Sequence, residues 1–238
     1  MSIIKLKNIS HWYSDNRVLD NLNLEIEKNK ITYILGSSGS GKTTILRLIA
    51  GLEVPDKGEI YIQNIKVSET NKIIVTPDKR QLGYIFQDLA LWPHLTVYEN
   101  ISFSLKNMNK SEIEGEVKGI LSLFGLDDYL QKFPHQLSGG QQQMVAIARA
   151  LALKPKILLM DEPLASLDVK SKRKILDYIV SIKEKYDLTI VYVTHDHREA
   201  FAIADNIVVI NEGKIQESGT AEKIKNSTND FVKYFIEW

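Results

Sequence analysis

Residues 31–44, ITYILGSSGSGKTT, most constrain what this chain can fold into. A short apolar run typical of a buried strand meets a glycine-rich loop, and a helical pattern follows at once. Gly36, Gly41, Lys42 and Thr43 fit the spacing G-x-x-x-x-G-K-[ST] of a phosphate-binding loop in this strand–loop–helix context. The alternative is an ordinary glycine turn, yet composition alone produces the pattern in only about one chain of this length in a hundred.

The chemistry of such a loop follows from its residue types. Glycines let the backbone approach a polyphosphate and turn its N–H groups inward, and the helix N-terminus adds partial positive charge. Lys42 would supply a point charge for the outer phosphates, and the Thr43 hydroxyl suits Mg²⁺. We predict that the whole loop binds the phosphates of a nucleotide, through Gly36, Ser37, Ser38, Gly39, Ser40, Gly41, Lys42, Thr43 and Thr44.

The composition indicates a sizeable core and no general affinity for anions. At 238 residues with 44% hydrophobic side chains, the chain suits one domain with an embedded subdomain, or two small domains. Basic and acidic residues balance at 30 each, which argues against a dedicated nucleic-acid binder. There is no cysteine, and no apolar run approaches the ~20 residues that span a bilayer. Any membrane association must therefore come through a partner.

Two kinds of strand pattern predict the fold class. Period-two alternation predicts an N-terminal antiparallel sheet from residues 3–9, 22–26 and 59–62, with His11, Trp12 and Tyr13 in a turn. Continuous apolar runs at 157–160, 190–193 and 207–210 predict a parallel sheet covered on both faces.

We therefore predict an α/β fold with a mainly parallel core sheet flanked by helices. Residues 1–238 form one domain, in which 1–87 and 156–238 make up the core and an antiparallel β subdomain. The pattern from about Val97 to Leu153 is mostly helical, which predicts an inserted helical subdomain at residues 88–155.

Two adjacent carboxylates end one of the apolar runs, in ILLMDEP at residues 157–163. Open α/β sheets bind ligands at the carboxyl ends of their strands, and neighbouring side chains there point different ways. We predict that Asp161 holds Mg²⁺, directly or through water, and that Glu162 polarises an attacking water as general base. The alternative is a solvated acidic pair, which the neighbouring phosphate loop makes a weaker interpretation.

A third motif, LSGGQ at residues 137–141, opens a helix that runs to about Leu153. Ser138 and Gln141 have the spacing of a capping box, so one interpretation is simply a helix start. Capping does not require Gly139 and Gly140, which cost helix stability at positions where most residues serve better. Glycines there let a ligand approach the helix N-terminus closely, and a phosphate is the natural candidate.

The phosphate loop, LSGGQ and Asp161-Glu162, in this order, resemble the ATP-binding subunit of an ABC transporter. The resemblance covers essentially the whole chain and implies a phosphate-loop NTPase fold, ATP hydrolysis, and ATP and Mg²⁺ as cofactors. It also implies a head-to-tail dimer of two copies. Ser138, Gly139, Gly140 and Gln141 of one copy would then close on the ATP held by the other. Met144 is a departure, because many relatives carry arginine there.

Further residues match the motifs of that family. Gln87 resembles the glutamine that contacts Mg²⁺ and the attacking water, Asp168 the D-loop aspartate, and His195 the switch histidine that contacts the γ-phosphate. Tyr13 stands where the family places an aromatic ring against adenine, and Trp12 is the competing candidate. Taken alone, each has a simpler interpretation: Gln87 a surface amide, Asp168 a helix cap, His195 a cap at a strand end, and Tyr13 a partly exposed aromatic.

Residues 87–100, QDLALWPHLTVYEN, resemble importers of the maltose, polyamine, ferric iron and oxyanion type. In those importers this region docks the membrane permease, so Trp92 and His94 are candidates for a partner-facing surface. The alternative for Trp92 is a place in the subdomain core. The resemblance implies an ATPase held by permease subunits at the cytoplasmic face of the inner membrane, served indirectly by an extracytoplasmic solute-binding protein, with no nucleic acid.

Two rival functions stay open at this point. An export ATPase is disfavoured by the match at residues 87–100. A soluble ABC ATPase acting on nucleic acid or ribosomes would need long coiled-coil insertions or two such domains in one chain, and the sequence has neither. Importers of this type often carry a C-terminal regulatory domain, which we expect to be missing because the chain stops at Trp238, soon after the family's terminal helix.

Overall fold

A computed structural model describes residues 1–105 and 108–237 of the chain. Lys106, Asn107 and Trp238 lie outside the described residues, although the predicted ranges 88–155 and 156–238 include them. The strands, in chain order, are β1 (Ser2–Tyr13), β2 (Asn16–Glu27), β3 (Ile31–Leu35), β4 (Lys57–Ile62), β5 (Ile65–Glu69), β6 (Lys72–Ile73), β7 (Leu82–Ile85), β8 (Ile157–Asp161), β9 (Thr189–Thr194), β10 (Asn206–Asn211) and β11 (Lys214–Gly219). The α-helices are α1 (Lys42–Ala50), α2 (Val97–Ser102), α3 (Lys110–Leu123), α4 (Gly139–Leu151), α5 (Val169–Tyr186), α6 (His197–Ile203), α7 (Ala221–Lys225) and α8 (Asp230–Ile236).

Six strands form a mainly parallel sheet in the order β11-β10-β3-β9-β8-β7. Only β11 pairs antiparallel, with β10. Strands β3, β8 and β9 are buried at every position, as expected for strands covered on both faces. Because they are parallel, the loops that follow them leave the sheet at one edge. The predicted α/β class with a mainly parallel core sheet is confirmed.

The N-terminal strands form an antiparallel sheet in the order β2-β1-β4-β5-β6, which confirms the predicted β subdomain. The prediction of a turn at His11, Trp12 and Tyr13 is wrong, because β1 continues through all three. The turn comes at residues 14–15, where Ser14 takes a φ of 53°. The polar ring of His11 is accommodated inside the sheet, since the Asp56 carboxylate lies 2.8 Å from its Nδ1.

Helix α1 is packed between the two sheets. Its apolar side chains, Ile45, Leu46, Leu48 and Ile49, are fully buried in a core shared with the antiparallel strands and one face of the parallel sheet. The opposite face of the parallel sheet shares its core with α2, α3, α4 and α5. The loop that enters α1 is therefore held between two rigid layers.

Helices α2, α3 and α4 lie between β7 and β8 in the chain. The buried Asn100 shapes the loop before α2, because its Nδ2 donates to the carbonyls of Trp92, Leu95 and Thr96. The division of the chain into one domain with an inserted subdomain at residues 88–155 stays a prediction. No helix within residues 1–105 and 108–237 has the length and apolar character needed to cross a bilayer.

A buried arginine fixes the C-terminal end of α1. Arg80 is 4% exposed, and its guanidinium donates to the carbonyls of Leu48 and Ile49 at 3.0 and 2.6 Å. It also donates to the carbonyls of Val67 and Val75 and to the Ser68 hydroxyl. Burial lowers the pKa of Arg80 to about 10, so the side chain stays charged at neutral pH. Arg80 thus joins α1 to the antiparallel sheet.

Replacing Arg80 by methionine is expected to lower the free energy of unfolding by about 3 kcal/mol. Methionine fills the volume of the arginine stem but leaves buried carbonyl oxygens without donors, and hydrogen bonds from charged groups contribute about 1.5–3 kcal/mol each. Urea unfolding measures the change. Lys79→Met, an exposed neighbour, is the matched control and should stay within about 0.5 kcal/mol of wild type. Equal midpoints for the two variants would contradict the anchoring role of Arg80.

Candidate active site

The predicted phosphate loop connects β3 to α1. Gly41 precedes α1 with a φ of 100° and no side-chain cap, and no acidic residue stands in the first turn. The backbone N–H groups of that turn are therefore available to an anion at the positive end of the helix dipole.

The backbone of the loop is closely packed from behind. A Cβ built on Gly36 would lie 2.4 Å from the carbonyl oxygen of Ile210, so only glycine fits there. The Ser40 hydroxyl is buried and has no hydrogen-bond partner in the described part of the chain. A ligand oxygen in the loop would satisfy it, which fits the predicted phosphate.

Lys42 lies buried under this loop. Its Nζ donates to the carbonyls of Gly36 and Ser37 at 2.9 and 3.0 Å, and it lies 3.7 Å from Glu162 Oε1. Burial lowers the pKa of Lys42, and the Glu162 carboxylate opposes that shift. The ammonium is thus held at the loop by two carbonyl dipoles and one carboxylate.

Thr43 and Asp161 meet at the edge of the parallel sheet. The Thr43 hydroxyl donates to Asp161 Oδ1 at 2.8 Å, and the Tyr84 hydroxyl donates to Oδ2 at 3.2 Å. Burial raises the pKa of Asp161, although these two hydrogen bonds lower it. Hydroxyl and carboxylate oxygens are the ligands that Mg²⁺ prefers, and Mg²⁺ commonly takes only one or two protein ligands beside phosphate and water. The two residues therefore fit the predicted metal.

Glu162 and His195 form a second contact beside Lys42. His195 Nδ1 lies 2.9 Å from Glu162 Oε2, and 55% of the His195 side chain is exposed. Glu162 takes a φ of 41°, a left-handed conformation that is uncommon outside glycine and is found at active sites. Its N–H donates to the carbonyl of Val193, so the end of β9 holds this conformation. Lys42, Glu162 and His195 are thereby brought together.

Tyr13 lies at the end of β1 and is 43% exposed. Its hydroxyl donates to Glu53 Oε2 at 2.6 Å and lies 3.3 Å from the Thr44 hydroxyl, which places the ring beside the first turn of α1. The pKa of Tyr13 is raised by burial and by the bond to Glu53. The rings of His11 and Tyr13 lie on one face of β1, with centres 5.0 Å apart, and Trp12 between them lies on the other face, where Lys57 Nζ is 5.6 Å from the centre of its ring. The geometry favours Tyr13 over Trp12 as the ring near a nucleotide.

Within the described residues, no hydrogen bond or ion pair joins Gln87 or Asp168 to this cluster. Gln87 is exposed, two residues beyond the end of β7. Asp168 caps α5: it accepts the N–H groups of Lys170 and Ser171, and the Ser171 hydroxyl lowers its pKa.

The signature residues Ser138, Gly139, Gly140 and Gln141 open α4. Ser138 and Gln141 form the complete capping box. Within the described residues, no hydrogen bond or ion pair joins these four to the phosphate loop. Met144, at the position of the family arginine, is buried in the main core.

Three contributors to this region have no motif in the sequence. Tyr84 binds Asp161, Glu53 binds Tyr13, and Lys172 donates to Asp196 next to His195. The run LGYIF at residues 82–86 is compatible with a strand, but it does not indicate which strand lies beside it.

This fold and this site define the class of phosphate-loop ATPases. A family model described as ABC transporter matches residues 19–165, and the chain belongs to that family. It is 44% identical to "Spermidine/putrescine import ATP-binding protein PotA" of Borreliella afzelii, over 98% of this chain and 67% of that protein. It is 43% identical to "Fe(3+) ions import ATP-binding protein FbpC" of Fusobacterium nucleatum, over 98% of this chain and 62% of that protein. The chain thus spans about two thirds of the length of these curated relatives.

A solved structure of similar fold is the dimeric post-hydrolysis state of the ATP-binding cassette MJ0796 bound to ADP and Pi. It has a TM-score of 0.80 and 35% sequence identity, and the match covers 92% of this chain and 98% of that one. The family and the fold confirm the predicted ABC-type ATPase. The roles assigned to individual residues stay predictions.

Proposed function

We propose that this chain is the ATP-hydrolysing subunit of an importer that moves a small solute through a separate membrane permease. One observation carries the proposal most strongly: Lys42, Thr43, Asp161, Glu162 and His195 meet at the entrance of the phosphate loop. A phosphate-binding cation, a pair of hard oxygen ligands and a candidate base stand together, as phosphoryl transfer to water requires.

In this proposal Glu162 accepts a proton from water while the water oxygen bonds to the γ-phosphorus. The bond from that phosphorus to the bridging oxygen of ADP breaks, and ADP and phosphate are the products. Thr43 and Asp161 would hold Mg²⁺, which would neutralise charge on the phosphate oxygens. Lys42 Nζ and His195 Nδ1 contact the two oxygens of the Glu162 carboxylate and hold it in position. Gln87 would complete the site from the end of β7.

A second copy of the chain supplies the far side of the site. Nothing within the described residues requires glycine at 140, because a Cβ there would meet only ordinary contacts at 3.9 Å or more. The reason for the glycine then lies outside the chain, at the γ-phosphate held by a partner copy. The dimeric state of MJ0796, which is bound to ADP and Pi, supports a pair of copies. In our proposal that pair is head-to-tail, with ATP in the interface. Asp168, at the start of α5, would face the same interface.

Ser138→Asp is expected to abolish most ATP hydrolysis while leaving ATP binding to the monomer nearly unchanged. Aspartate caps a helix as well as serine does, so α4 keeps its start, but the new negative charge would repel the phosphate of the partner site. Ser138→Asn, a neutral cap, is the control and should retain much more activity. Steady-state hydrolysis and nucleotide titration measure the two effects. Equal loss of binding and hydrolysis would contradict the two-copy site.

The relatives' names support an inorganic ion, an oxyanion or a polyamine as the solute, since they name import of spermidine/putrescine, Fe(3+) and sulfate/thiosulfate. The loop at residues 87–100 would dock the permease at the cytoplasmic face of the membrane, and a solute-binding protein would act through the permease. Trp92 packs against Phe103 with ring centres 4.4 Å apart and lies 5.0 Å from the Arg149 guanidinium, so it is half-buried, whereas His94 is exposed. His94 is therefore the better candidate for a permease contact.

Co-purification from membranes under mild detergent tests the transport assignment. We expect a permease to accompany the chain, and we expect His94→Glu, which places a negative charge on this surface, to reduce recovery of the permease without changing ATP binding. Recovery of ribosomes or DNA with no membrane protein would contradict transport. A permease that carries its solute outward in vesicles would contradict import and leave the ATPase assignment standing.

A further inference from the structure

We propose that Lys172 is a positioning residue that joins the start of α5 to the switch loop that carries His195. Lys172 Nζ donates to Glu199 Oε1 at 2.7 Å and to Asp196 Oδ2 at 3.2 Å. Asp196 directly follows His195 and caps α6, in which Glu199 lies one turn further on. The inference rests on the proposed ATPase function, because it assigns a role within that same site.

The helix that carries Lys172 begins at the proposed copy-to-copy interface. Asp168 caps α5, and Lys172 lies four residues later, so both stand on one side of the helix. A displacement of Asp168 by a partner copy would therefore move the Lys172 ammonium with it. The ammonium contacts Asp196 and Glu199, at the two ends of the first turn of α6. Its movement would therefore displace this turn and the residue that precedes it, His195.

The contacts continue from α6 into the parallel sheet. Glu199 is only 4% exposed, and the Tyr192 hydroxyl donates to its Oε2 at 2.9 Å. The Tyr192 ring stacks on Tyr33, with centres 4.4 Å apart, and both rings are fully buried. Tyr33 belongs to β3, which leads into the phosphate loop, and Tyr192 belongs to β9, which leads to His195. A continuous set of contacts thus joins Lys172, at the start of α5, to the strands that lead to His195 and to the phosphate loop.

Electrostatics explains why the lysine is needed. Asp196 and Glu199 turn carboxylate oxygens toward the same ammonium, and their side chains are 12% and 4% exposed. Arg198 also binds Asp196, but from the exposed side, with 78% of its side chain in solvent. Without Lys172 the two carboxylates would repel each other, and Glu199 would remain buried without a cation. The first turn of α6 would relax outward and carry His195 away from Glu162.

The test compares Lys172→Met with a matched control on the same helix. Lys183 has nearly the same exposure, 21% against 19%, and also pairs with an aspartate, Asp205 at 3.6 Å. It lies three turns further along α5, about 16 Å away at 1.5 Å per residue. We expect Lys172→Met to lower kcat for ATP about 10- to 100-fold with KM within about two-fold, the cost of a small displacement of a reacting group. Lys183→Met should keep kcat, and Lys172→Arg should restore most of it.

The outcomes separate this inference from the ATPase assignment. If wild type hydrolyses ATP but Lys172→Met matches Lys183→Met in kcat, Lys172 has no positioning role. If wild type shows no hydrolysis above a Glu162→Gln control, the ATPase assignment itself fails. Should Lys172→Met not fold, Glu199→Gln decides, because it keeps an acceptor for the Tyr192 hydroxyl while removing the charge that Lys172 binds. A wild-type kcat for Glu199→Gln would overturn the proposal, and a reduced kcat at unchanged KM would support it.

Discussion

Glu162→Gln is expected to lower the ATP turnover number by about 10²- to 10⁴-fold while leaving nucleotide affinity close to that of wild type, the range over which general base catalysis contributes. Glutamine has the same size and can still bond to His195 Nδ1, which lies 2.9 Å from the carboxylate. It cannot accept a proton from water. Glutamate and glutamine adopt the left-handed φ of 41° at this position equally well, so the substitution should not change the backbone.

Steady-state phosphate release and equilibrium nucleotide binding measure the two quantities for this variant. Since the γ-phosphate would then persist in the interface, size-exclusion chromatography with ATP should show a dimer that wild type does not accumulate. Glu116→Gln is the control, because it removes a carboxylate from the exposed pair with Lys154. Hydrolysis by Glu162→Gln at the wild-type rate would show that the base is another residue.

Lys42→Met is expected to weaken ATP binding by about 10- to 100-fold or more, because a charged hydrogen bond to phosphate contributes about 1.5–3 kcal/mol and 1.4 kcal/mol is ten-fold in affinity. In the structure the ammonium is held by the carbonyls of Gly36 and Ser37, poised under the loop that would receive the phosphates. Methionine keeps most of the apolar stem but supplies no charge and no donor.

Titration with a non-hydrolysable ATP analogue gives this affinity directly, and thermal unfolding shows whether the loop is still folded. The control is Lys154→Met, which removes a surface cation that pairs with Glu116. It should bind the analogue as wild type does. Unchanged affinity in Lys42→Met would contradict the phosphate-binding role of Lys42.

The strand and helix that carry the phosphate loop follow from local sequence alone. The apolar run before the glycine-rich loop predicts a strand and the pattern after it a helix, and β3 and α1 occupy those positions. The predicted turn at His11–Tyr13 is wrong for a reason that local sequence does not contain. Pairing with β2 extends β1 through these residues, and a carboxylate from the distant Asp56 accommodates the buried histidine.

The residues of the candidate site also fall into those that local sequence predicts and those that it does not. Lys42 and Thr43, and Asp161 and Glu162, belong to short contiguous motifs, because a phosphate loop and a strand end place their residues by local backbone geometry. Tyr84 and Lys172 could not be predicted. Tyr84 reaches Asp161 only because β7 lies next to β8 in the sheet, and Lys172 reaches Asp196 only because α5 packs beside α6.

Sequence by itself therefore determined the α/β architecture, which depends on periodicity, and the residues of each motif, which depend on spacing within a few positions; the class of protein followed from the resemblance of those motifs to a known family. Tertiary structure alone decided which side chains hold the motif residues in place: Arg80 at the end of α1, Tyr84 at Asp161, and Lys172 at the switch loop. The physical reason is that these contacts join residues far apart in the chain, and their partners are set by strand order and helix packing.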